Sequence, residues 1–133
     1  MQWRRKTNQD FAKELYERHA DMCKVFSNAI RLRVLSVIGK REMPVAGIAE
    51  KLGVPLGTVS PHLLMMKQRR VLVSRKKGNQ VFYRLANPKI LKAFDLIREI
   101  LSEQIRLEGL LGKQLQQAIS GAPGNRNEYK RLA

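Results

Sequence analysis

The chain has 133 residues, 44% of them hydrophobic, and carries 26 Lys and Arg against 11 Asp and Glu, for a formal net charge of +15. This length fits one domain with its own core, and the charge predicts an anionic partner. A single Cys excludes an internal disulfide framework, and the lack of any long apolar run excludes a membrane span or signal peptide, so we expect a cytoplasmic protein.

The positive charge is concentrated in the middle of the chain. From Lys51 to Phe94 the sequence contains no Asp or Glu, whereas ten Lys and Arg residues fall in this stretch. A nucleic-acid backbone is the polyanion that such a stretch would face.

Residues 1–8 are predicted to form a basic flexible arm, and a helix is predicted from Gln9 onward. Its predicted apolar stripe contains Phe11, Leu15, His19 and Met22. His19 and Cys23 stand four residues apart, so they form either a packed structural pair or half of a metal or thiol sensor site. The burial preferences of these residue types favour the packed pair.

A second helix is predicted after Ser27 or Asn28, either of which can cap it, and Gly39 ends it. Its predicted buried face contains Ile30, Val34, Leu35 and Ile38, while Arg31, Arg33, Lys40 and Arg41 are expected outside.

Residues 45–52 have the i, i+3, i+4, i+7 apolar spacing of a helix, and Gly53 supplies a left-handed residue to end it. The next helical pattern is predicted to point Val59, Leu63 and Met66 inward. Small polar groups are expected on its other side, at Thr58, Ser60, His62 and Lys67. Two helices joined by a tight Gly turn indicate a helix-turn-helix, although an ordinary αα-corner has the same pattern.

The following segments, residues 71–77 and 80–85, are rich in β-branched and aromatic side chains, and Gly78-Asn79 between them is a hairpin turn signal. A basic hairpin directly after a helix-turn-helix is the wing of a winged helix.

Four segments in this order resemble bacterial and archaeal ArsR-type (ArsR/SmtB) transcriptional regulators: Phe26-Ser-Asn-Ala-Ile-Arg-Leu-Arg-Val-Leu35, Ile48-Ala-Glu-Lys-Leu-Gly53, Thr58-Val-Ser-Pro-His-Leu63 and Val81-Phe-Tyr-Arg-Leu85. The resemblance covers roughly residues 20–110. It implies a mainly α winged helix-turn-helix with a small β-hairpin, in which residues 42–45 form a short connecting strand that pairs with the wing. It also implies a homodimer formed through the first and last helices.

The chain departs from this family in the recognition helix. Pro55 replaces the usual Ser or Thr cap, and Pro61 lies inside the helix, so we expect a helix that starts late, near Thr58 or Ser60, or one with a distorted first turn. Arg69 and Arg70 stand where relatives commonly carry Gly. They form either two extra phosphate contacts or a solvated helix end that the helix dipole favours.

The metal ligands of sensing relatives are also missing. Pro44 and Ala46 occupy the positions of the family's Cys-x-Cys pair, and the last helix carries acidic residues but no His. We therefore expect no metal and no cofactor, and the sequence leaves open whether a small-molecule or metal effector exists.

The last helix is predicted to start at Asn87-Pro88 and to fray past Glu108 because of Gly109 and Gly112. Its predicted dimer-forming residues are Ile90, Phe94, Ile97 and Leu101, together with Phe11 and Leu15 of the first helix. Residues 9–119 would form the winged-helix domain and residues 120–133 a flexible tail.

These observations predict a sequence-specific transcriptional regulator, in particular a repressor, that binds a palindromic operator in double-stranded DNA as a homodimer. The predicted contacts are Gly57, Thr58, Ser60, Pro61, His62 and Lys67 on the recognition helix, Arg75, Lys76, Lys77, Gly78 and Asn79 on the wing, and Arg69 and Arg70 as auxiliary phosphate contacts. The alternative is a sequence-indifferent architectural or RNA-binding protein. The sequence offers no catalytic constellation, so no enzyme is expected, and no membrane partner.

Overall fold

The computed structural model describes residues 4–120 of the chain. Its elements are α1 (Asn8–Val25), α2 (Ala29–Ile38), β1 (Met43–Pro44), α3 (Val45–Leu52), α4 (Leu56–Gln68), β2 (Leu72–Lys77), β3 (Gln80–Leu85) and α5 (Lys89–Ile119). The three strands form one antiparallel sheet in the order β1-β3-β2, which confirms the predicted mainly α fold with a small hairpin. Most of the predicted tail, and the first three residues of the predicted arm, lie outside the described residues.

The chain divides into two compact units, one ending at Leu91 and one beginning at Lys92. In the first unit, the core is built by the inner faces of three short helices and by the sheet. The buried side chains are Val34, Leu35 and Ile38 of α2, Ile48, Ala49 and Leu52 of α3, Val59, Leu63 and Met66 of α4, and Leu72, Tyr83 and Leu85 of the sheet. Full burial of an aliphatic side chain stabilises the fold by about 1.5–3 kcal/mol, so this shared core is the main source of stability for the unit.

Side chains of helix α2 form hydrogen bonds with the ends of its neighbouring helices. Asn28 caps it, because its side-chain oxygen accepts a hydrogen bond from the Arg31 backbone amide at 3.1 Å. The Arg31 guanidinium donates to the Val25 carbonyl at the end of α1, and Arg33 donates to the Leu52 carbonyl at the end of α3 at 2.9 Å. The prediction that Arg31 stays outside is therefore wrong: it is half-buried, because it neutralises the negative end of α1.

Helix α1 begins at Asn8, inside the segment predicted as an arm. Thr7 caps it through a reciprocal pair of hydrogen bonds with Asp10. The bonds that the Thr7 amide and hydroxyl donate to the Asp10 carboxylate lower the pKa of that group. The side chains of the predicted apolar stripe, Phe11, Leu15, His19 and Met22, are all exposed in the single chain.

The wing has the predicted hairpin turn. Strands β2 and β3 pair from Leu72 with Leu85 to Lys77 with Gln80, and Gly78 takes a positive φ of 61° in the two-residue turn. A hairpin turn whose first central residue has a positive φ favours glycine. The predicted short strand also forms, because Met43 and Pro44 pair with Tyr83 and Phe82.

Helix α4 starts at Leu56 and runs unbroken through Pro61, so the predicted late start is wrong. Its first turn is tightened, since the Pro55 carbonyl accepts bonds from both Thr58 and Val59, at 2.9 and 3.3 Å. Proline inside a helix costs about 3 kcal/mol, which is less than the burial of three large inner side chains contributes. The carbonyl that Pro61 leaves without its helical donor belongs to Gly57, which is exposed.

Helix α5 continues through Gly109 and Gly112 to Ile119, so the predicted fraying past Glu108 is wrong. Each glycine costs roughly 1 kcal/mol of helix propensity, but Leu, Lys and Gln residues around them favour the helix. The predicted start is confirmed, because the Asn87 side chain accepts a hydrogen bond from the Lys89 amide at 3.0 Å.

Arg70 occupies a backbone conformation that suits glycine. Its φ is 62°, the only positive φ of a non-glycine residue among those that the structure describes. The Val71 amide bonds the Met66 carbonyl at 2.9 Å and the Arg70 amide bonds the Lys67 carbonyl at 3.0 Å, the hydrogen-bond pattern of a Schellman cap. The cap thus places an arginine where left-handed geometry costs about 1 kcal/mol.

We expect Arg70→Gly to raise the free energy of unfolding by about 1 kcal/mol, because glycine adopts this conformation without steric strain. Urea unfolding at one fixed protein concentration measures the change. Arg69→Gly is the matched control: it removes the same charge one residue earlier, where φ is −87°, and should give no gain. Equal effects of the two substitutions would refute strain at Arg70.

Candidate nucleic-acid interface

The start of α4 and the tip of the wing lie on one side of the first unit. They share an open groove of about 320 Å³. Its lining residues are Pro44, Val45, Ala46, Leu56, Ser60, Asn79, Gln80 and Val81. A helix and a basic hairpin that project from the same side can contact one duplex together. The helix enters a groove of the duplex, and the hairpin contacts its backbone.

The outermost stripe of α4 consists of Gly57, Pro61, Leu64 and Gln68, all of them exposed. They are spaced i, i+4, i+7 and i+11, opposite the buried Val59, Leu63 and Met66. Sequence reasoning missed Leu64, because it selected outward residues mainly by their polarity, and it missed Gln68, because it did not extend the exposed face to the end of the helix. Continuing the helical spacing from Gly57 and Pro61 would have found them.

The other predicted residues of α4 differ in position. Thr58 and Lys67 are exposed, whereas Ser60 is half-buried at the edge of the groove. His62 was predicted on the exposed face and is instead half-buried, with its Nδ1 atom 3.3 Å from Nη1 of Arg31. His62 therefore connects the recognition helix to the arginine that holds the end of α1.

The wing tip carries Lys76, Lys77, Gly78 and Asn79, and all four are exposed as predicted. Arg75 is different, because its Nε donates to the Glu42 carboxylate at 2.6 Å. Glu42 directly precedes β1, so this ion pair joins β2 to the opposite side of the sheet. Arg75 therefore forms an ion pair that links β2 to the residue before β1 at the base of the wing.

Arg69 and Arg70 are both exposed at the far end of α4. They line an open groove of about 260 Å³ together with Arg18, Asp21, Met22 and Val25 of α1. These two arginines therefore lie beside the C-terminal half of α1, where Asp21 provides a nearby negative charge.

His19 and Cys23 do not form the packed pair that the sequence favoured. Both side chains are exposed, because no element among residues 4–120 covers the face of α1 that carries them. Within residues 4–120, no group of three or more His, Cys, Asp or Glu side chains is placed to hold a metal ion. Pro44 and Ala46, at the positions of the family's Cys pair, line the groove beside the wing.

The charge of this region is predominantly positive. Residues 43–91 contain one acidic residue, Glu50, and nine basic ones. The basic residues are Lys51, Lys67, Arg69, Arg70, Arg75, Lys76, Lys77, Arg84 and Lys89. In the part of the chain that the structure covers, no helix has the length and apolar character needed to span a bilayer.

The helix-turn-helix, the paired third strand and the basic hairpin define the winged helix-turn-helix class of DNA-binding regulators. A similar solved structure is the homodimeric winged helix-turn-helix DNA-binding domain of Mb0332 from Mycobacterium bovis, described as a possible ArsR-family regulator. It is 26% identical with a TM-score of 0.63, and the match covers 75% of this chain and 91% of that one.

Two relatives identify the family by sequence. The chain is 30% identical over 88 residues to the HTH-type transcriptional regulator MJ1325 of Methanocaldococcus jannaschii, covering 65% of this chain and 99% of that protein. It is 34% identical over 70 residues to the HTH-type transcriptional regulator KmtR of Mycobacterium tuberculosis. That match covers 53% of this chain and spans about half (54%) of KmtR. No protein-family model matches the chain. The chain belongs to the ArsR/SmtB family of winged helix-turn-helix transcriptional regulators.

We expect Glu42→Gln to strengthen binding to any duplex DNA and to steepen its salt dependence by about one unit of slope, because the substitution removes an acid beside the wing and frees Arg75. Titration of a labelled duplex at several salt concentrations measures both. Glu17→Gln makes the same charge change on α1 and should leave the slope unchanged. An unaltered slope for Glu42→Gln would show that the ion pair does not restrain Arg75.

Proposed function

We propose that the chain is a homodimeric transcriptional repressor that binds a palindromic operator in double-stranded DNA. The observation that carries this proposal is the exposure of α4 and of the Lys76–Lys77 wing tip on one basic side of the first unit. The α4 helix would enter the major groove and the wing tip would contact phosphates or the minor groove. A bound dimer would block transcription by occupying the DNA.

The exposed face of α5 supports the homodimer. Eight large apolar side chains are exposed on this helix: Leu96, Ile97, Ile100, Leu101, Ile105, Leu111, Leu115 and Ile119. At 100° per residue they share one side, and the charged residues Asp95, Glu99 and Arg106 lie on the other. An apolar stripe of this length is rarely left in water, so we assign it to contact with a second copy.

Helix α1 offers a second apolar surface for the same contact. Phe11 and Leu15 are more than half exposed, and Tyr16 and Met22 are exposed as well. Of the other predicted dimer residues, Ile97 and Leu101 are exposed, while Ile90 and Phe94 are half-buried. The interface proposed for α5 therefore centres on the part of the helix that follows Phe94.

Leu101→Glu should convert the protein to a monomer, because the carboxylate would be buried against the partner helix without a counter-charge. Leu101 is 48% exposed in the single chain, so the substitution leaves the fold of each chain intact. Sedimentation measures the change. Ser102→Glu, on the charged side of α5, is the matched control and should remain dimeric. A dimeric Leu101→Glu protein would exclude this face, and a monomeric unmodified protein would overturn the homodimer.

Replacing Lys76 and Lys77 together by Ala should weaken binding to all duplexes and lower the salt slope by about two, because each lysine neutralises one phosphate. Binding titrations at several salt concentrations give the slope. Lys13→Ala with Lys113→Ala removes the same charge from α1 and α5 and should leave the slope nearly unchanged. A loss confined to one preferred sequence would mean that the two lysines contact bases.

Competition against random duplex tests sequence specificity itself. A regulator should prefer its own site by about 10³ or more, and DNA from the chain's own upstream region is the first candidate for that site. A ratio near one would instead identify a sequence-indifferent binder that uses the same basic side.

A further inference from the structure

The side chains that α4 presents most directly to solvent are unusually poor in hydrogen-bonding groups. Gly57 has no side chain, Pro61 has an apolar ring, and Leu64 is 52% exposed. Gln68, at the end of the stripe, is the first of its members with a polar side chain. Along two turns of the recognition helix, the outermost side chains can therefore neither donate a hydrogen bond to a base nor accept one from it.

The surroundings of this stripe identify its partner. Lys67 lies beside Leu64 on the same helix, and the wing tip with Lys76 and Lys77 lies on the same side as the start of α4. An apolar protein surface would leave these cations without a counter-charge, whereas a duplex supplies phosphates to them and base edges to the stripe.

The edges of the base pairs in the major groove offer one apolar group, the C5-methyl of thymine. We propose that Leu64 and Pro61 recognise thymine in each half-site through this methyl group. This inference rests on the proposed function, since it requires α4 to enter the major groove. Gly57, without a side chain, allows the start of the helix to approach closely.

The spacing of the two side chains fits neighbouring base pairs. Three residues along a helix advance by about 4.5 Å, close to the roughly 3.4 Å between successive bases on one strand. Leu64 and Pro61 are three residues apart on the same face, so they would contact adjacent steps. The half-site is therefore expected to contain one or two thymines whose methyl groups contribute to binding.

The test replaces thymine by deoxyuridine, which keeps every hydrogen-bonding group and removes only the methyl. A duplex is first selected from a random library by the full chain, and each thymine is then replaced singly. Burial of one methyl group corresponds to about a four-fold change in Kd. The unmodified protein should lose three- to five-fold in affinity at one or two positions of each half-site and little elsewhere.

The same scan on Leu64→Ala identifies the residue responsible. This variant should bind the thymine duplex more weakly and should no longer distinguish thymine from deoxyuridine at the position that Leu64 contacts. Leu56→Ala is the matched control for the thymine pattern, because Leu56 is 51% exposed on the same helix and lines the groove beside the wing, away from the stripe. Its truncation is expected to lower the overall affinity without removing the difference between thymine and deoxyuridine. The Leu56→Ala protein should keep the full pattern of sensitivity.

Each outcome is decisive. Unchanged binding of all deoxyuridine duplexes by the unmodified protein would overturn the thymine contact while leaving specific DNA binding intact. Sensitivity that Leu64→Ala retains in full would assign the contact to another residue. A selection that enriches no sequence would overturn the proposed function, and the inference with it.

Discussion

The packing of the inner face of α4 against α2 and α3 determines which side chains of α4 face the solvent. Val59, Leu63 and Met66 are completely buried, and rotation of the helix by one residue, about 100°, would expose at least one of them. The rotation of α4 about its axis is therefore fixed by the core. The stripe that includes Leu64 therefore faces the solvent because of core packing, and it is apolar because of the residue types at those positions.

The segment 26–35, on which the family resemblance began, has a physical role in this arrangement. Asn28 starts α2, and the two arginines that follow bind carbonyls at the ends of α1 and α3. Hydrogen bonds from a charged donor contribute about 1.5–3 kcal/mol each, which is comparable with one buried aliphatic side chain. A short polar motif can thus join three helices whose contact is otherwise apolar.

Local periodicity was sufficient to predict every helix, the two strands of the wing, the inner faces of α2, α3 and α4, and the glycine turns, whereas β1 was predicted from the family resemblance. Periodicity failed where distant residues decide the outcome. The late start of α4, one of two predicted alternatives, was wrong because the cost of Pro61 is outweighed by packing, which local rules do not count. The ion pair of Arg75 was not predicted because Glu42, its partner, is 33 residues away. Leu64 was overlooked because a leucine in a helical sequence is assigned to the core unless the rotation of the helix about its axis is known.

The wing is stiff at its base and open at its tip. The third strand and the ion pair of Arg75 brace the hairpin near Ser74, while Lys76 to Val81 extend beyond β1 as a two-stranded ribbon. A charged tip held in place on a braced ribbon loses little conformational freedom when it meets a polyanion. Its charge attracts a duplex before contact and is neutralised by phosphates after it. Ionic strength should therefore govern both how quickly the protein finds a duplex and how long it remains there.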